Sequence, residues 1–353
     1  MTDKSIFTTL LEELNQYKNH DKSIERCKQI IKELERLLDK RIIAYFACDT
    51  GVDDISMIND TDALIIENLL SIKNSRKDLV LILHSGGGYA LSAERIIEVC
   101  KSYCARRNDD SKFIVIVPKK AKSAATIVAL AADKIYLRDT AELGPVDPQF
   151  IVIDNSGNMQ IEPAYLYVDA LENIFDLESA NFLQKHFRRP QKPLSKLPNE
   201  VKLKIIEQCN YSMYVQAKNE LGLSDSIIEK ISNEQMKRNQ GIKKDDFNIF
   251  KDPHITKSHG RLINFSDLEN NGLRKEGIID KLSSLFGGDD SKYRGVDLLL
   301  WELYVRKQQL VNDVANNIVK TIEGSGEFFV NLGVKKGQKP PEKKIEDKQI
   351  KQD

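Results

Sequence analysis

Three consecutive glycines and one serine are the residues of this chain whose types and order could support acyl transfer. The glycines, residues 86–88, follow an apolar run at 79–83, and Ser123 follows a second apolar run at 113–117. Glycines at the end of a strand can present bare backbone N–H groups. A serine at the start of a helix lies beside further free N–H groups and the positive end of the helix dipole. If the two turns meet in space, the hydroxyl faces donors suited to an oxyanion, which is the layout of acyl-transfer chemistry.

The elements that would position these residues alternate between strand and helix. The hydrophobic pattern predicts strands at 41–47, 79–83, 113–117 and 134–137, helices at 60–72, 90–104 and 124–131, and a hairpin of 150–153 with 159–161. Short connections between alternating strands and helices favour a mainly parallel sheet joined by right-handed crossovers. The predicted fold class is therefore α/β.

The rest of the chain is predicted to add helices to this α/β domain. Spacing predicts two amphipathic helices within 5–39, helices at 163–188 and 200–220, small helices and loops at 223–285, and a long helix at 292–323. The lysine-rich residues after 335 have little to bury, which predicts disorder. We accordingly divide the chain into an N-terminal helical arm at 1–40, an α/β domain at 41–285, a C-terminal helix at 286–334 and a disordered charged tail at 335–353.

The composition argues against several classes of partner and site. Lys plus Arg equals Asp plus Glu at 53 each, so no net charge draws the chain to nucleic acid or anionic lipid. The five cysteines form no CxxC pair and HExxH is absent, so neither a disulfide framework nor a metal site is predicted, and no cofactor is expected. The first residues lack a continuous apolar region, and no run of about 18 apolar residues occurs. We therefore predict a cytoplasmic protein without a membrane span.

The order of the sequence motifs narrows the function. GxGxxG, GxxxxGK[ST] and GxSxG are absent, which argues against a dinucleotide site, a P-loop and an α/β-hydrolase elbow. The chain instead has HSGGG after one strand, KSAAT at the next helix start, then AADKIYL and LGPVD. In this order the motifs resemble those of the clan that holds the Clp protease peptidase subunit, SppA, the stomatin-operon proteases and, more distantly, the crotonases. The likeness is strongest to the serine dehydrogenase proteinase family, over roughly 41–170 and faintly at 259–263.

This resemblance implies a fold and a set of site residues. The implied fold is a ClpP/crotonase-like, mainly parallel β-sheet spiral with helices, carrying helical N- and C-terminal extensions. Ser123 matches the nucleophile of the family, and Gly87 and Ala124 match the two backbone oxyanion donors. Gly86 stands where relatives often carry proline, which makes the loop less rigid. Without the resemblance, the sequence favours an ordinary helix N-cap for Ser123 and a plain strand-to-helix turn for the glycines.

The general base is the residue that the motifs do not supply. The Clp subunit has a histidine just past the strand after the serine helix, and residues 143–148 contain none. SppA and the stomatin-operon enzymes use a lysine farther along, and the helix entry at 163–165 has none. The remaining candidates are Lys185, His186, Tyr165 and His259. A buried lysine can lose its charge and act as a base, so Lys185 is the residue we select, although its polar neighbourhood is also that of a surface lysine.

Three functions are compatible with these residues. The first is an ATP-independent serine peptidase that acts on a protein or peptide substrate through an acyl-enzyme on Ser123. The second is a catalytically silent ClpP-like subunit or scaffold that lacks its base. The third is a crotonase-like acyl-CoA enzyme, which the serine at the nucleophile position argues against. The resemblance further implies assembly into a homo-oligomer, to which the helical extensions could contribute.

Overall fold

The computed structural model describes residues 8, 12, 21–48, 55–72, 76, 78–107, 110–153, 159–172, 198–208, 211–252, 255, 261–312 and 318–332. The helices in these ranges are α1 (Asp21–Leu38), α2 (Asp60–Ser71), α3 (Ala90–Arg107), α4 (Ala124–Leu130), α5 (Ala164–Glu172), α6 (Asn199–Gln208), α7 (Tyr211–Arg238), α8 (Asn248–Lys251), α9 (Gly272–Lys275) and α10 (Asp290–Asn312). Two short 3₁₀ turns cover Lys244–Phe247 and Leu282–Phe286. None of these helices is long and apolar enough to cross a membrane.

The strands form one large sheet and two small ones. They are β1 (Arg41–Ala47), β2 (Leu79–His84), β3 (Phe113–Val117), β4 (Lys120–Ala121), β5 (Lys134–Leu137), β6 (Glu142–Leu143), β7 (Gln149–Ile153), β8 (Met159–Pro163), β9 (Ile263–Asn264), β10 (Ile279–Lys281), β11 (Ile318–Glu323) and β12 (Phe328–Leu332). The large sheet has the order β10-β5-β3-β2-β1-β11-β12. Its pairings from β10 to β1 are parallel, and β11 and β12 are antiparallel additions. The predicted α/β class with a mainly parallel sheet is confirmed.

The central strands are apolar on both faces because helices cover both sides of the sheet. In β1, Ile43 and Tyr45 belong to the core formed with α2, α3 and α4. The alternate residues Ile42, Ala44 and Phe46 belong to a second core formed with α1 and α10. Successive strand side chains point to opposite faces, so a strand that is covered on both sides is typically apolar at successive positions. This is the reason that the continuous apolar runs of the sequence predicted the strands well.

The C-terminal helix predicted at 292–323 is too long. Helix α10 ends at Asn312, and Ile318–Glu323 is instead strand β11, which pairs antiparallel with β1. Ile318 and Ile322 are four residues apart, a spacing that fits one face of a helix and also one face of a strand. Lys320 and Glu323 are residue types that usually face solvent on a helix, whereas the whole of β11 is buried. The charged residues in this buried segment are therefore the reason that the sequence pattern did not predict strand β11.

Helix α7 corrects a second expectation. The sequence predicted a helix from 200 to 220 and small elements from 223 onward. The structure has α6 at Asn199–Gln208 and then α7, which continues through Gly222 to Arg238. Glycine lowers helix propensity by about 1 kcal/mol relative to alanine, but burial of Ile227, Ile228 and Ile231 beyond it keeps the helix continuous. The first helix of the arm, apart from positions 8 and 12, and the charged tail lie outside the described residues.

Glu302 links helices α10 and α1 and provides a test of this packing. Its carboxylate accepts hydrogen bonds from Arg26 at 2.9 and 2.8 Å and from Arg306 at 2.9 Å. Burial works against the charged form, but the two guanidinium groups outweigh it and lower the pKa of Glu302. We expect Glu302→Gln to reduce the free energy of unfolding by about 1–2 kcal/mol at neutral pH.

The pH dependence of the Glu302 contribution follows from the lowered pKa. The stabilisation is present above the unfolded-state pKa, about 4.3, and is lost as the pH falls through the lower folded-state pKa. Urea unfolding of both proteins should therefore show a gap at about pH 7 that narrows at about pH 3. A gap of equal size at both pH values would contradict this assignment.

Candidate active site

Ser123 has a backbone conformation that is rare for a residue with a side chain. It precedes α4 with φ +49° and ψ −122°, and its hydroxyl makes no capping hydrogen bond to the helix. An ordinary N-cap residue has extended backbone angles and accepts a bond from the helix. Ser123 therefore occupies the N-cap position of α4 without capping the helix through its hydroxyl, unlike an ordinary N-cap serine. Strained backbone of this kind persists only where the surrounding structure holds it, and it is frequent at active sites.

Backbone bonds from two strand ends hold Ser123 in this conformation. Ser85, which follows β2, donates its N–H to Lys120 O at 3.2 Å and accepts one from Lys122 N–H at 3.0 Å. The Lys122 side chain is itself fixed by Glu142, with an Nζ–Oε1 distance of 3.1 Å. The residues immediately before Ser123 are thus joined to the residue immediately before the glycines. The two turns that the sequence singled out do meet in the structure.

Gly87 lies directly against Ser123, and only glycine fits there. Its φ is +115°, and a Cβ added to it would lie 2.7 Å from Ser123 Cβ and 2.9 Å from Lys122 O. Gly88, with φ +156°, approaches Ile58 even more closely, because a Cβ there would lie 2.3 Å from Ile58 N. Gly86 is different, since an added Cβ would meet nothing within 4 Å. The second and third glycines are required by close backbone approach, and the first is not.

The backbone N–H groups near Ser123 are not all equally available. The Gly87 N–H donates to Ser85 Oγ at 3.0 Å. The N–H groups of Gly88 and Ala124 are engaged by no hydrogen bond to the residues that the structure describes. The geometry therefore adds Gly88, which the sequence analysis passed over, to the candidates for an oxyanion donor. The predicted role of the Gly87 N–H as an oxyanion donor stays a prediction.

A cavity of about 430 Å³ opens beside Ser123. It is lined by Cys48, Ser56, Met57, Gly86, Gly87, Gly88, Tyr89, Ala90, Ser123, Ala124, Ile127, Val146, Pro148, Gln149, Gln216, Glu220 and Ser224. The sequence analysis identified the two turns but missed the 56–57 segment and the contribution of α7. Gln216, Glu220 and Ser224 recur every fourth residue on α7, which places them on one face of the helix. This four-residue spacing of polar side chains is the sequence feature that could have predicted the contribution of α7 to the cavity.

The described lining residues of this cavity include neither histidine nor lysine. Of the base candidates, only Tyr165 lies within the described ranges. Burial raises the pKa of Tyr165, and the nearby carboxylate of Asp147 raises it further, so its phenolate is scarce at neutral pH. Lys185, His186 and His259 lie outside the described residues. The assignment of Lys185 as the general base therefore stays a prediction.

His84 precedes the glycines but has a structural position in the core. Its ring is fully buried and packs between Phe46, at a centroid distance of 6.0 Å, and Tyr304, at 5.1 Å. It therefore belongs to the core between the sheet and α10, although it stands only one residue before Ser85.

Comparison with known protein families agrees with the geometry of this site. A sequence model of the family described as ClpP-like SDH-type serine proteinase matches residues 6–162. Over this segment the chain is similar to ClpP-like serine proteinases. The match includes β1–β3, the glycine turn (residues 86–88), Ser123 and the hairpin β7–β8 up to residue 162. The resemblance stated from the sequence motifs is confirmed.

Two archaeal proteins share shorter stretches with the chain. The uncharacterized proteins MJ0137 and MJ1495 of Methanocaldococcus jannaschii are 44% identical over 85 residues and 33% identical over 124 residues. These stretches cover 24% and 34% of this chain, and 28% and 40% of the two relatives. The chain thus matches less than half the length of either protein.

Two solved structures of a protease are also similar in part. Both are mutants of the 1510-N membrane-bound stomatin-specific protease, one of them in complex with a substrate peptide. The identities are 17% and 21%, with TM-scores of 0.26 and 0.24. The alignments cover 42% and 40% of this chain, and 66% and 60% of the protease chains.

Proposed function

We propose that the protein is an ATP-independent serine peptidase that hydrolyses peptide bonds through an acyl-enzyme on Ser123. One observation carries the proposal. Ser123 has a strained backbone, its hydroxyl is not used to cap α4, and it lies against the backbone of Gly87 at the wall of a cavity. The match of 6–162 to a serine proteinase family supports the same reading. The absence of a P-loop motif in the sequence is the reason for proposing independence from ATP.

The proposed reaction uses Ser123 as nucleophile. Its Oγ attacks the carbonyl carbon of the peptide bond while its proton passes to a base, for which we propose Lys185. The carbonyl oxygen becomes an oxyanion that backbone N–H groups can stabilise. We propose the Ala124 N–H as one donor and the Gly87 N–H as the second, shared with Ser85 Oγ. The base then passes its proton to the leaving amine as the C–N bond breaks. A water molecule next gives a proton to the same base and attacks the acyl carbon; the C–Oγ bond breaks, the carboxylic acid leaves, and the base returns the proton to Ser123 Oγ.

A catalytically silent subunit is the second candidate function. Its support is the absence of histidine and lysine from the described lining of the cavity. The two functions differ in one measurable property, the reactivity of Ser123. A homo-oligomer is proposed in either case, and light scattering of the purified protein tests it.

Labelling with a fluorophosphonate probe decides between the two functions. A peptidase should be modified once, and peptide mapping by mass spectrometry should place the adduct on Ser123. Labelling rates of Lys185→Ala, His186→Ala and His259→Ala should then identify the base, with Lys185→Ala slowed most. A wild-type protein that stays unmodified across the neutral and alkaline pH range would favour the silent subunit.

Glu220 provides a prediction about the substrate. It is the carboxylate among the described cavity-lining residues, and it lies exposed on α7. We expect a preference for peptides with a basic side chain near the cleaved bond. An exposed ion pair contributes about 0.5–1 kcal/mol, so Glu220→Gln should lower kcat/KM for a lysine-containing peptide roughly two- to fivefold. The same substitution should leave a matched norleucine peptide unaffected; equal losses on both peptides would contradict the proposed contact.

A further inference from the structure

Two ion pairs are completely buried in the described part of the chain, and both involve strand β11. Lys307 Nζ lies 2.5 Å from Glu323 Oε1, and Lys320 Nζ lies 2.6 Å from Asp62 Oδ1. All four side chains have zero exposure. Removing charges from water is costly, and apolar residues of similar volume often replace such pairs without loss of stability. The polar atoms of a buried pair can, however, make hydrogen bonds to the backbone that apolar side chains cannot make.

The pair of Lys320 and Asp62 holds both ends of one short segment, residues 57–59. Lys320 Nζ donates a hydrogen bond to Met57 O at 2.8 Å. Asp62 Oδ2 accepts one from the Asn59 N–H at 2.9 Å and another from the Tyr45 hydroxyl at 2.9 Å. An apolar replacement of the ion pair would fill the space but could make none of these bonds.

The middle residue of this segment clamps the glycine turn. The Ile58 N–H donates to Gly87 O at 2.9 Å, and Ile58 O accepts from the Tyr89 N–H at 2.9 Å. Gly88 lies between these two bonds and is in tight contact with the Ile58 backbone. Because Gly87 in turn lies against Ser123, the placement of Ile58 determines where the glycine turn stands relative to the serine.

We propose that Lys320, Asp62 and Tyr45 are positioning residues that hold segment 57–59, and through it the glycine turn, beside Ser123. The effect on catalysis rests on the proposed peptidase function, whereas the mechanical link from β11 to the turn does not. None of the three residues lines the cavity, so they act through the backbone of Ile58 rather than on a substrate.

The other buried pair provides a matched control for this proposal. Lys307 and Glu323 are as buried as Lys320 and Asp62, and Glu323 is on the same strand, three residues from Lys320. The experiment compares the double variants Lys320→Met/Asp62→Asn and Lys307→Met/Glu323→Gln. Each is measured for the rate of fluorophosphonate labelling and, by hydrogen exchange, for protection of the Ile58 and Tyr89 amides. Urea unfolding reports the stability that each variant loses.

The expected result is specific to the first double variant. Lys320→Met/Asp62→Asn should slow labelling at least tenfold and speed exchange of the Ile58 and Tyr89 amides at least tenfold, beyond any change in the control. The control should leave both quantities within twofold of wild type. Equal changes in the two variants, or none in the first, would overturn the proposal. If the wild type is not labelled, the proposed function fails and the exchange measurement alone decides the mechanical link.

A milder pair of variants covers the case in which the first double variant does not fold. Tyr45→Phe removes only the hydroxyl that donates to Asp62, and Tyr103→Phe removes a comparable buried hydroxyl that donates to Arg76 O at 3.0 Å. Tyr45→Phe should slow labelling two- to fivefold and speed exchange at Ile58, and Tyr103→Phe should do neither. Identical behaviour of the two phenylalanine variants would overturn the proposal.

Discussion

Replacement of Ser123 by alanine should reduce peptide hydrolysis by about 10⁴- to 10⁶-fold, because no other group would form the acyl-enzyme. The loss should appear in kcat, whereas KM for the peptide should change little, since the rest of the cavity is unaltered. The substitution removes only the hydroxyl, which makes no capping bond to α4. The melting temperature should therefore stay within about 2 °C of wild type, in line with a ΔΔG of roughly 0.5 kcal/mol or less.

Ser224 provides the matched control for this prediction. Like Ser123 it lines the cavity, but it lies on helix α7, without a neighbouring glycine turn. Ser224→Ala should retain at least half of the wild-type kcat and all of the fluorophosphonate labelling. Hydrolysis that persists in Ser123→Ala at more than about 1% of the wild-type rate would contradict a nucleophilic role, because mutants lacking a nucleophile retain far less.

The sequence predicted the centre of the fold well because burial on both faces leaves a simple signal. Strand β1 spans the predicted residues 41–47, and β3 spans the predicted 113–117. The pattern was misleading where buried charge replaced apolar side chains. Lys320 and Glu323 made β11 resemble one side of an amphipathic helix, since an ion pair with Asp62 or Lys307 joins residues far apart in sequence. A sequence pattern within β11 does not show the ion-pair partner that allows each of these charges to be buried.

Only those residues of the candidate site that belong to a recognisable local motif could be predicted from the sequence. The glycines and Ser123 were found because unusual backbone geometry requires particular residue types at adjacent positions. Met57 and Ile58 join the site through tertiary contacts, and nothing in their immediate sequence distinguishes them from ordinary surface or core residues. Glu220 also joins it through tertiary structure, and only its four-residue spacing from Gln216 and Ser224 marks it in the sequence. Tertiary contacts also explain why glycine is required at Gly87 and Gly88 but not at Gly86. The three adjacent glycines have different surroundings, which the sequence does not show.

The second large effect is expected at Gly87. In Gly87→Ala the new methyl group would meet Ser123 Cβ and Lys122 O at 2.7 and 2.9 Å, in a backbone conformation that alanine rarely adopts. Bonds to Ser85 hold the backbone at Lys122, so the strain should be relieved by displacement of Ser123. A misplacement of about 1 Å can cost roughly 10²-fold in rate. We therefore expect kcat to fall about 10²- to 10³-fold, with a stability loss of about 1–3 kcal/mol.

Gly86→Ala separates this steric effect from a general sensitivity of the loop. Gly86 is exposed, its φ is not positive, and an added Cβ would meet nothing within 4 Å. Alanine at such a site restricts the unfolded chain and can stabilise a protein by about 0.4–1 kcal/mol, so Gly86→Ala should keep its activity and unfold at equal or higher urea concentration. Steady-state kinetics and urea unfolding of both variants test the pair. If Gly87→Ala kept wild-type kcat, or if both variants lost it equally, contact between the glycine turn and Ser123 could not be what sets the geometry of the nucleophile.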